Sequence, residues 1–245
     1  MYSRRVGDKI LSFGTSGLLY RSNKLMYDRG TSSLWRQFTG EPVVGNLADS
    51  GIRLKLLPVT LTTWREWANA HPNTNVLDVK TGVYPARVYL PESDPNAIYH
   101  RYFKDPNTMF PVPQRSNLLK TKDIVLGVKI DAEAKAYPLE ELRKQQIIND
   151  SLAGKALIVI TKPEAGAARA FERGFYRFAF ATGDGDDKHT LLEDQDGQRW
   201  RVEEDALIKI GDPSRRFPRI STHMAFWFGW FNFYPFTRVY GLETK

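Results

Sequence analysis

Apolar and polar residues alternate along this chain over short runs bounded by Gly, Asp and Asn, the period-two signature of half-buried strands. Such runs predict strands at 9–14, 24–28, 33–38, 124–130, 134–137, 155–161, 176–182, 189–193, 199–203 and 207–210. Asp196-Gly197 predicts a hairpin of type I′, a turn whose two central residues both need φ > 0. Ile148-Asn149-Asp150 and Leu152-Ala153-Gly154 read as a further turn ahead of a strand over 156–161. Helical patterns are few and short. Thr62 or Thr63 caps a helix over Trp64–Ala70, which His71-Pro72 stops because proline disfavours helical backbone in the residue before it. Pro138 opens a second helix over 138–143. A third spans 225–233 and is aromatic all round, which implies burial, a partner surface or a membrane interface, burial being the plainer reading. Residues 80–120, rich in Pro, Asn and Tyr, read as a long ordered connection. The fold class is therefore α+β, mostly β.

The chain also matches itself. Residues 64–76 and 227–239 agree at six of thirteen positions with a constant offset of 163: Trp64/Trp227, Trp67/Trp230, Asn69/Asn232, Pro72/Pro235, Thr74/Thr237 and Val76/Val239. Upstream, Trp35 precedes Trp64 by 29 residues and Trp200 precedes Trp227 by 27, while Tyr2-Ser3-Arg4 resembles Phe171-Glu172-Arg173. The pattern predicts two tandem related β-rich units. The first covers 1–79, the second 124–245, and 80–123 connects them, all packed as one globular body. The stretch 126–170 has no counterpart in the first unit, because its place falls before Met1. The expectation is a first unit truncated at its N-terminus, whose exposed strand edges need cover, from an earlier start of the protein or from a partner chain. The aromatic segment 225–236 is the other surface where a partner chain would sit.

Composition narrows the function. No cysteine is present, so a thiolate metal site, a cysteine nucleophile and a disulfide scaffold are all excluded. No apolar run reaches 18 residues, which leaves no membrane-spanning helix, and residues 1–12 lack the apolar core of a signal peptide. Net charge is +7 and unevenly spread: residues 1–60 carry nine Lys/Arg against four acids, and 184–205 carry nine acids against three bases. Such polarity attracts an anionic partner to one end. The basic residues stand singly, without the stripe that tracks phosphates, so nucleic acid is disfavoured.

Catalytic motifs are near misses. Gly14-Thr15-Ser16-Gly17 places its second glycine one position early for a nucleophile elbow. Gly183-Asp184-Gly185 lacks dinucleotide spacing, and the four histidines (71, 100, 189, 223) lack metal-ligand spacing. Asp194, Asp196, Gly197 and Glu203 fall at calcium-loop positions, but Leu192 and Arg199 spoil the loop and a hairpin reads better. No metal or cofactor is expected, and no catalytic residue is assigned. The most site-like cluster is Ser16, Asn23, Tyr27, Asp28, Arg29, Ser33, Trp35 and Gln37, polar groups among aromatics on adjacent predicted strands, as small-ligand pockets use them. The same residues read structurally as an Asp28–Arg29 hairpin closure and a Trp35 core anchor. The second unit keeps Trp200 but lacks the Tyr-Asp-Arg triplet, an asymmetry that speaks for function in the first.

Several stretches resemble the bacterial family catalogued as domain of unknown function 3179. They are 13–20, Met26-Tyr27-Asp28-Arg29, 33–40, Thr63-Trp64 with 71–74, Val125-Leu126-Gly127-Val128 with 134–139, and Ala225-Phe226-Trp227-Phe228. The resemblance covers nearly the whole chain and implies no established activity. It implies a Cys-Pro-Leu-Cys-like pair and a His-Glu-Ile-Val-Asn-Asp segment ahead of the Phe13 strand, in the part expected before Met1. The second unit reads Gln145-Gln146-Ile147-Ile148-Asn149-Asp150 at the corresponding place. Export of family members implies an extracytoplasmic home, periplasmic or secreted, although no signal marks it here. The expected function is a non-catalytic extracytoplasmic binding or accessory module. The alternative is an enzyme or enzyme remnant with a pocket around Tyr27-Asp28-Arg29 and Trp35.

Overall fold

The computed structural model describes residues 1–80, 82–162, 166–182 and 190–242. In chain order the elements are β1 (Arg5–Val6), β2 (Lys9–Ile10), β3 (Phe13–Tyr20), β4 (Asn23–Asp28), β5 (Ser33–Arg36), β6 (Pro42–Val44), α1 (Trp64–Ala70), α2 (His100–Lys104), β7 (Ile124–Ile130), β8 (Glu133–Pro138), α3 (Leu139–Lys144), β9 (Ile147–Leu152), β10 (Lys155–Lys162), β11 (Ala167–Glu172), β12 (Phe178–Phe180), β13 (Leu191–Asp194), β14 (Arg199–Val202), β15 (Ala206–Lys209), β16 (Arg216–Ile220), β17 (Thr222–Phe226), α4 (Trp227–Phe233) and β18 (Arg238–Val239). With 38% strand and 13% helix the fold is mostly β. The Gly183-Asp184-Gly185 motif and His189 lie outside the described residues.

The strands form a β1-β2 ribbon, a sheet β3-β4-β5-β6, a sheet β17-β7-β8-β18, and an eight-stranded sheet β12-β13-β14-β15-β16-β11-β10-β9. The last curls into a nearly closed barrel. One side chain joins its two edges. Asn149 Nδ2 on β9 donates to the Phe178 carbonyl at 2.8 Å, and the Phe178 N–H returns a bond to Asn149 Oδ1 at 2.9 Å, satisfying edge groups that would otherwise recruit another strand.

Alternation then sorts the cores. Ile158, Ile160, Phe171, Trp200 and Leu207 fill the barrel. The opposite faces of β9, β10 and β11 pack with α3 on Leu126, Val128 and Ile130 of β7. The other face of that strand, with Ala134 and Ala136 of β8, is covered by Trp227 and Trp230 of α4. The sheet β17-β7-β8-β18 is thus the middle layer of three. The first sheet has a small core around Leu11, Trp35 and Leu54.

Several expectations change. The stretch 147–152, partly read as a turn, is a full strand, β9. The turn is confined to Ala153 (φ 51°) and Gly154 (φ 74°), both left-handed as a type I′ hairpin requires, with Leu152 opposite Lys155. At Asp196-Gly197 only the glycine has positive φ, 73°. Gly197 N–H donates to the Asp194 carbonyl and the Asp194 N–H to the Gln198 carbonyl, so this is a three-residue loop with a glycine bulge. The third helix starts at Trp227, because Ala225 and Phe226 pair as strand with Val125 and Ile124. Its aromatic character is a core feature: Trp227 and Trp230 are buried within the chain itself.

Segments that match at offset 163 share local geometry. Helix α1 is capped by Thr63 (φ −77°, ψ 153°) and ends at His71 (−133°, 69°); α4 follows Phe226 (−66°, 147°) and ends at Tyr234 (−128°, 68°). Trp67 Nε1 donates to Thr74 Oγ1 at 3.0 Å, and Trp230 Nε1 to Thr237 Oγ1 at 2.9 Å. Upstream, Phe13 meets Trp35 edge-on at 5.8 Å and 85°, and Phe178 meets Trp200 at 5.5 Å and 82°. The single bridge Tyr2↔Leu56 sits where Phe171↔Arg219 sits in the barrel. The surrounding sheets differ, an open four-stranded one against the barrel.

Candidate functional site

The eight residues singled out from sequence lie on or beside β3, β4 and β5, and most of their polar atoms serve the backbone. Ser16 Oγ donates to the Leu25 carbonyl at 2.7 Å and accepts the Leu18 N–H at 3.0 Å, holding the irregularity in β3. Asp28 is fully buried and accepts from the Gly30 N–H and the Thr31 hydroxyl. Ser33, also buried, accepts the Leu47 N–H at 3.0 Å. Tyr27 reaches only the Ser32 hydroxyl, Arg29 is exposed above Gly14, and the Gln37 carbonyl accepts the Tyr2 hydroxyl at 2.7 Å. Trp35 anchors the core with Nε1 unpartnered, and Asn23 Oδ1 is likewise buried without a partner. In the second hairpin Asp194 binds the matching indole, Trp200 Nε1, at 2.8 Å. The first hairpin is a residue longer, and Thr31 takes the carboxylate instead. Asp28 is therefore a hairpin cap like Asp194, which accepts the Asp196 and Gln198 N–H groups. Asp28→Ala is expected to cost about 1–3 kcal/mol in denaturant unfolding, the desolvation penalty of the donors left behind.

None of these eight residues lines the cavity of about 410 Å³ that opens between the first sheet and the middle sheet. Its walls bring together Tyr2, Phe38, Thr39, Arg53, Lys55, Lys129, Ser221, His223 and Tyr234. Each is positioned by backbone logic. Arg53 and Lys55 are two apart in extended chain and share a face. Lys129 and His223 occupy the α4 side of β7 and β17, where Gly127 lies opposite His223. Tyr234 ends α4 and donates to the Phe38 carbonyl at 3.1 Å.

Charge sets this cavity apart from the one beside α1. No carboxylate lines it; Glu41 reaches Arg53 from beside it and also pairs with Arg36. Among the described residues Lys55 and Lys129 make no ion pair. Thr39 Oγ1 is buried with no hydrogen-bond partner. By contrast, the cavity of about 510 Å³ beside α1 sets Lys162 and Arg169 against Glu66, Glu203 and Glu204. Burial pushes His223 down to about 4, the Met1 ammonium acts in the same direction, and a hydrogen bond with the Phe38 backbone opposes them, so the ring is neutral at pH 7. Burial raises the Tyr2 phenol and pushes Tyr234 up to about 12, leaving both as neutral hydroxyls.

In the sequence Arg53 and Lys55 are two of many singly placed bases and His223 is a histidine without ligand spacing. Their i, i+2 spacing was the one local signal. Lys129 and Ser221 join them only through tertiary pairing of strands distant in sequence. No helix among the described residues is long and apolar enough to cross a membrane, and no group of three or more His, Asp or Glu among them is arranged to hold a metal.

No curated protein and no solved structure matches the chain. A family model does, over residues 1–237, and its description is "Protein of unknown function (DUF3179)"; this chain belongs to that family.

Proposed function

We propose that this chain is a non-catalytic, extracytoplasmic binding module that seats an anionic group, a phosphate ester or a carboxylate, between Arg53, Lys55 and Lys129. The charge of the cleft carries the reading: three cations, no carboxylate wall, and a buried Thr39 hydroxyl with a bond to spare. Charge-assisted hydrogen bonds of this kind are the strong ones, and the aromatic walls of Tyr2, Phe38 and Tyr234 supply orientation. The extracytoplasmic placement rests on the family resemblance. The matched Trp–Thr and Phe–Trp pairs support two related units, 1–79 and 124–245, joined by 80–123.

One observation favours an enzyme instead: His223 shares the cleft with two tyrosine hydroxyls. A group pushed down to about 4 is a weak base at neutral pH, which favours binding over proton transfer. The alternative pocket around Tyr27-Asp28-Arg29 and Trp35 is left with a hairpin-closing role.

Isothermal titration with inorganic phosphate and with malonate tests the proposal. Saturable binding that weakens with salt is expected, reduced about tenfold by Lys129→Ala or Lys55→Ala, or roughly 1.4 kcal/mol per cation. Heat signals absent for both anions, or unchanged in the Lys129→Ala, Lys55→Ala double variant, would overturn it.

A further inference from the structure

Helix α4 does not stand alone. The strand leading into it, β17, pairs antiparallel with β7 from Thr222 opposite Val128 to Phe226 opposite Ile124. The Trp230 ring then lies flat against Gly127, where a Cβ would sit 2.3 Å from the indole. Strand, helix and glycine form one unit, with Trp227 1% and Trp230 0% exposed.

Helix α1 has matching cap dihedrals and the same Trp–Thr bond, yet among the described residues no strand occupies the place of β7. Residues 59–63 correspond to β17 at offset 163. Among the described residues none of their N–H groups finds a strand partner. Trp64, the counterpart of Trp227, is 58% exposed, and Leu61 and Val59 are exposed beside it in sequence. Asn232 of α4 donates to the Arg21 carbonyl and accepts from Gln114, whereas Asn69 of α1 is exposed.

A backbone edge with unpaired N–H groups, running into the exposed Trp64 and the half-buried Trp67, has one natural complement. The row of N–H groups calls for an added strand, and the Trp67 face away from His71 calls for a residue without a side chain. We propose that 59–67 is the docking edge for a β-hairpin of the β7–β8 kind, whose leading strand pairs antiparallel with 59–63 and sets a glycine under Trp67. This surface is separate from the anion cleft, and either can fail without the other.

The chain's own hairpin is the probe. A synthetic peptide with the sequence of residues 122–140 is titrated into the intact protein. Saturable binding is expected by calorimetry, together with a blue shift of tryptophan emission as Trp64 is covered. Trp67→Ala in the protein, or Leu61→Pro, which removes a ladder N–H, should weaken binding at least about tenfold, as should Gly127→Leu in the peptide. Both protein positions lie outside the buried cores, and circular dichroism checks that each variant folds. Absence of binding overturns the proposal. So does binding that survives Trp67→Ala, which would mean that the peptide had displaced the chain's own β7–β8 hairpin from β17 and α4 instead.

Discussion

Gly127→Val lowers the melting temperature by roughly 6–12 °C in the expected thermal scan, or prevents folding. Overpacking a tight core costs about 1–3 kcal/mol and occasionally more, and in a chain of this size each kcal/mol is worth roughly 2–4 °C. The upper end applies because the obstacle cannot yield. Trp230 is fully buried, its Nε1 is tied to Thr237, and Tyr234 lies against it with ring centroids 4.3 Å apart. On the strand side Gly127 is held between His223 of β17 and Ala136 of β8. Gly229→Ala, in the helix that carries Trp230, makes the contrast. Its added methyl meets only the Phe38 ring at 3.5 Å, an ordinary contact, and helix propensity favours alanine by about 0.5–1 kcal/mol. If Gly127→Val melts with the wild type, the glycine is not what seats the indole. If Trp230→Leu restores stability in the Gly127→Val background, the two residues are coupled as the packing requires.

The sequence made the strands with clean alternation readable: β4, β7, β8, β10, β13 and β14 fall close to where period two puts them. Strands with tertiary duties in their polar residues were hidden. Asn149 and Asp150 look like turn formers, yet one joins the barrel edges and the other holds a buried lysine, so β9 read as loop. In β11 alanines stand where a large apolar residue would mark a core strand, because the barrel and the middle sheet press on both faces. Proline 218 disguised β16, whose pairing with β11 and β15 completes the barrel. Candidate chemistry was less legible. Tyr27, Asp28 and Trp35 looked like a site because hairpin closure and ligand binding use the same residue types. The cleft needed Arg53, Lys129 and His223 from three separate segments, and no local pattern announces that convergence.

Asp150→Ala is expected to cost about 1–3 kcal/mol, the range for buried donors that lose an acceptor. Lys135 is 2% exposed on β8, and its ammonium meets Asp150 Oδ2 at 2.7 Å; the Tyr137 hydroxyl donates to the same oxygen at 2.9 Å. Removing the carboxylate takes an acceptor from Lys135, the Tyr137 hydroxyl and the Ser151 N–H at once. Removing the cation is milder, because Asp150 keeps the Tyr137 hydroxyl and the Ser151 N–H and is partly open to water. Lys135→Met should therefore cost less than Asp150→Ala, and the Lys135→Met, Asp150→Asn pair should recover much of the loss. Acid titration separates the charge from the packing. Burial raises the Asp150 carboxyl, but the hydrogen bonds from Lys135, Ser151 and Tyr137 outweigh it and hold the group below the usual carboxylate range. A carboxyl depressed in the folded state stabilises above its unfolded value of about 3.9, and that contribution disappears as pH falls through the folded value. His223 acts earlier, since a histidine lowered to about 4 takes its proton more readily in the unfolded chain and erodes stability between about 6.5 and 4. Urea midpoints of the wild type should thus fall in two stages on acidification. Asp150→Asn should keep the first stage and flatten the second; a second stage of undiminished depth would place the acid sensitivity on other carboxylates and remove Asp150 from the account.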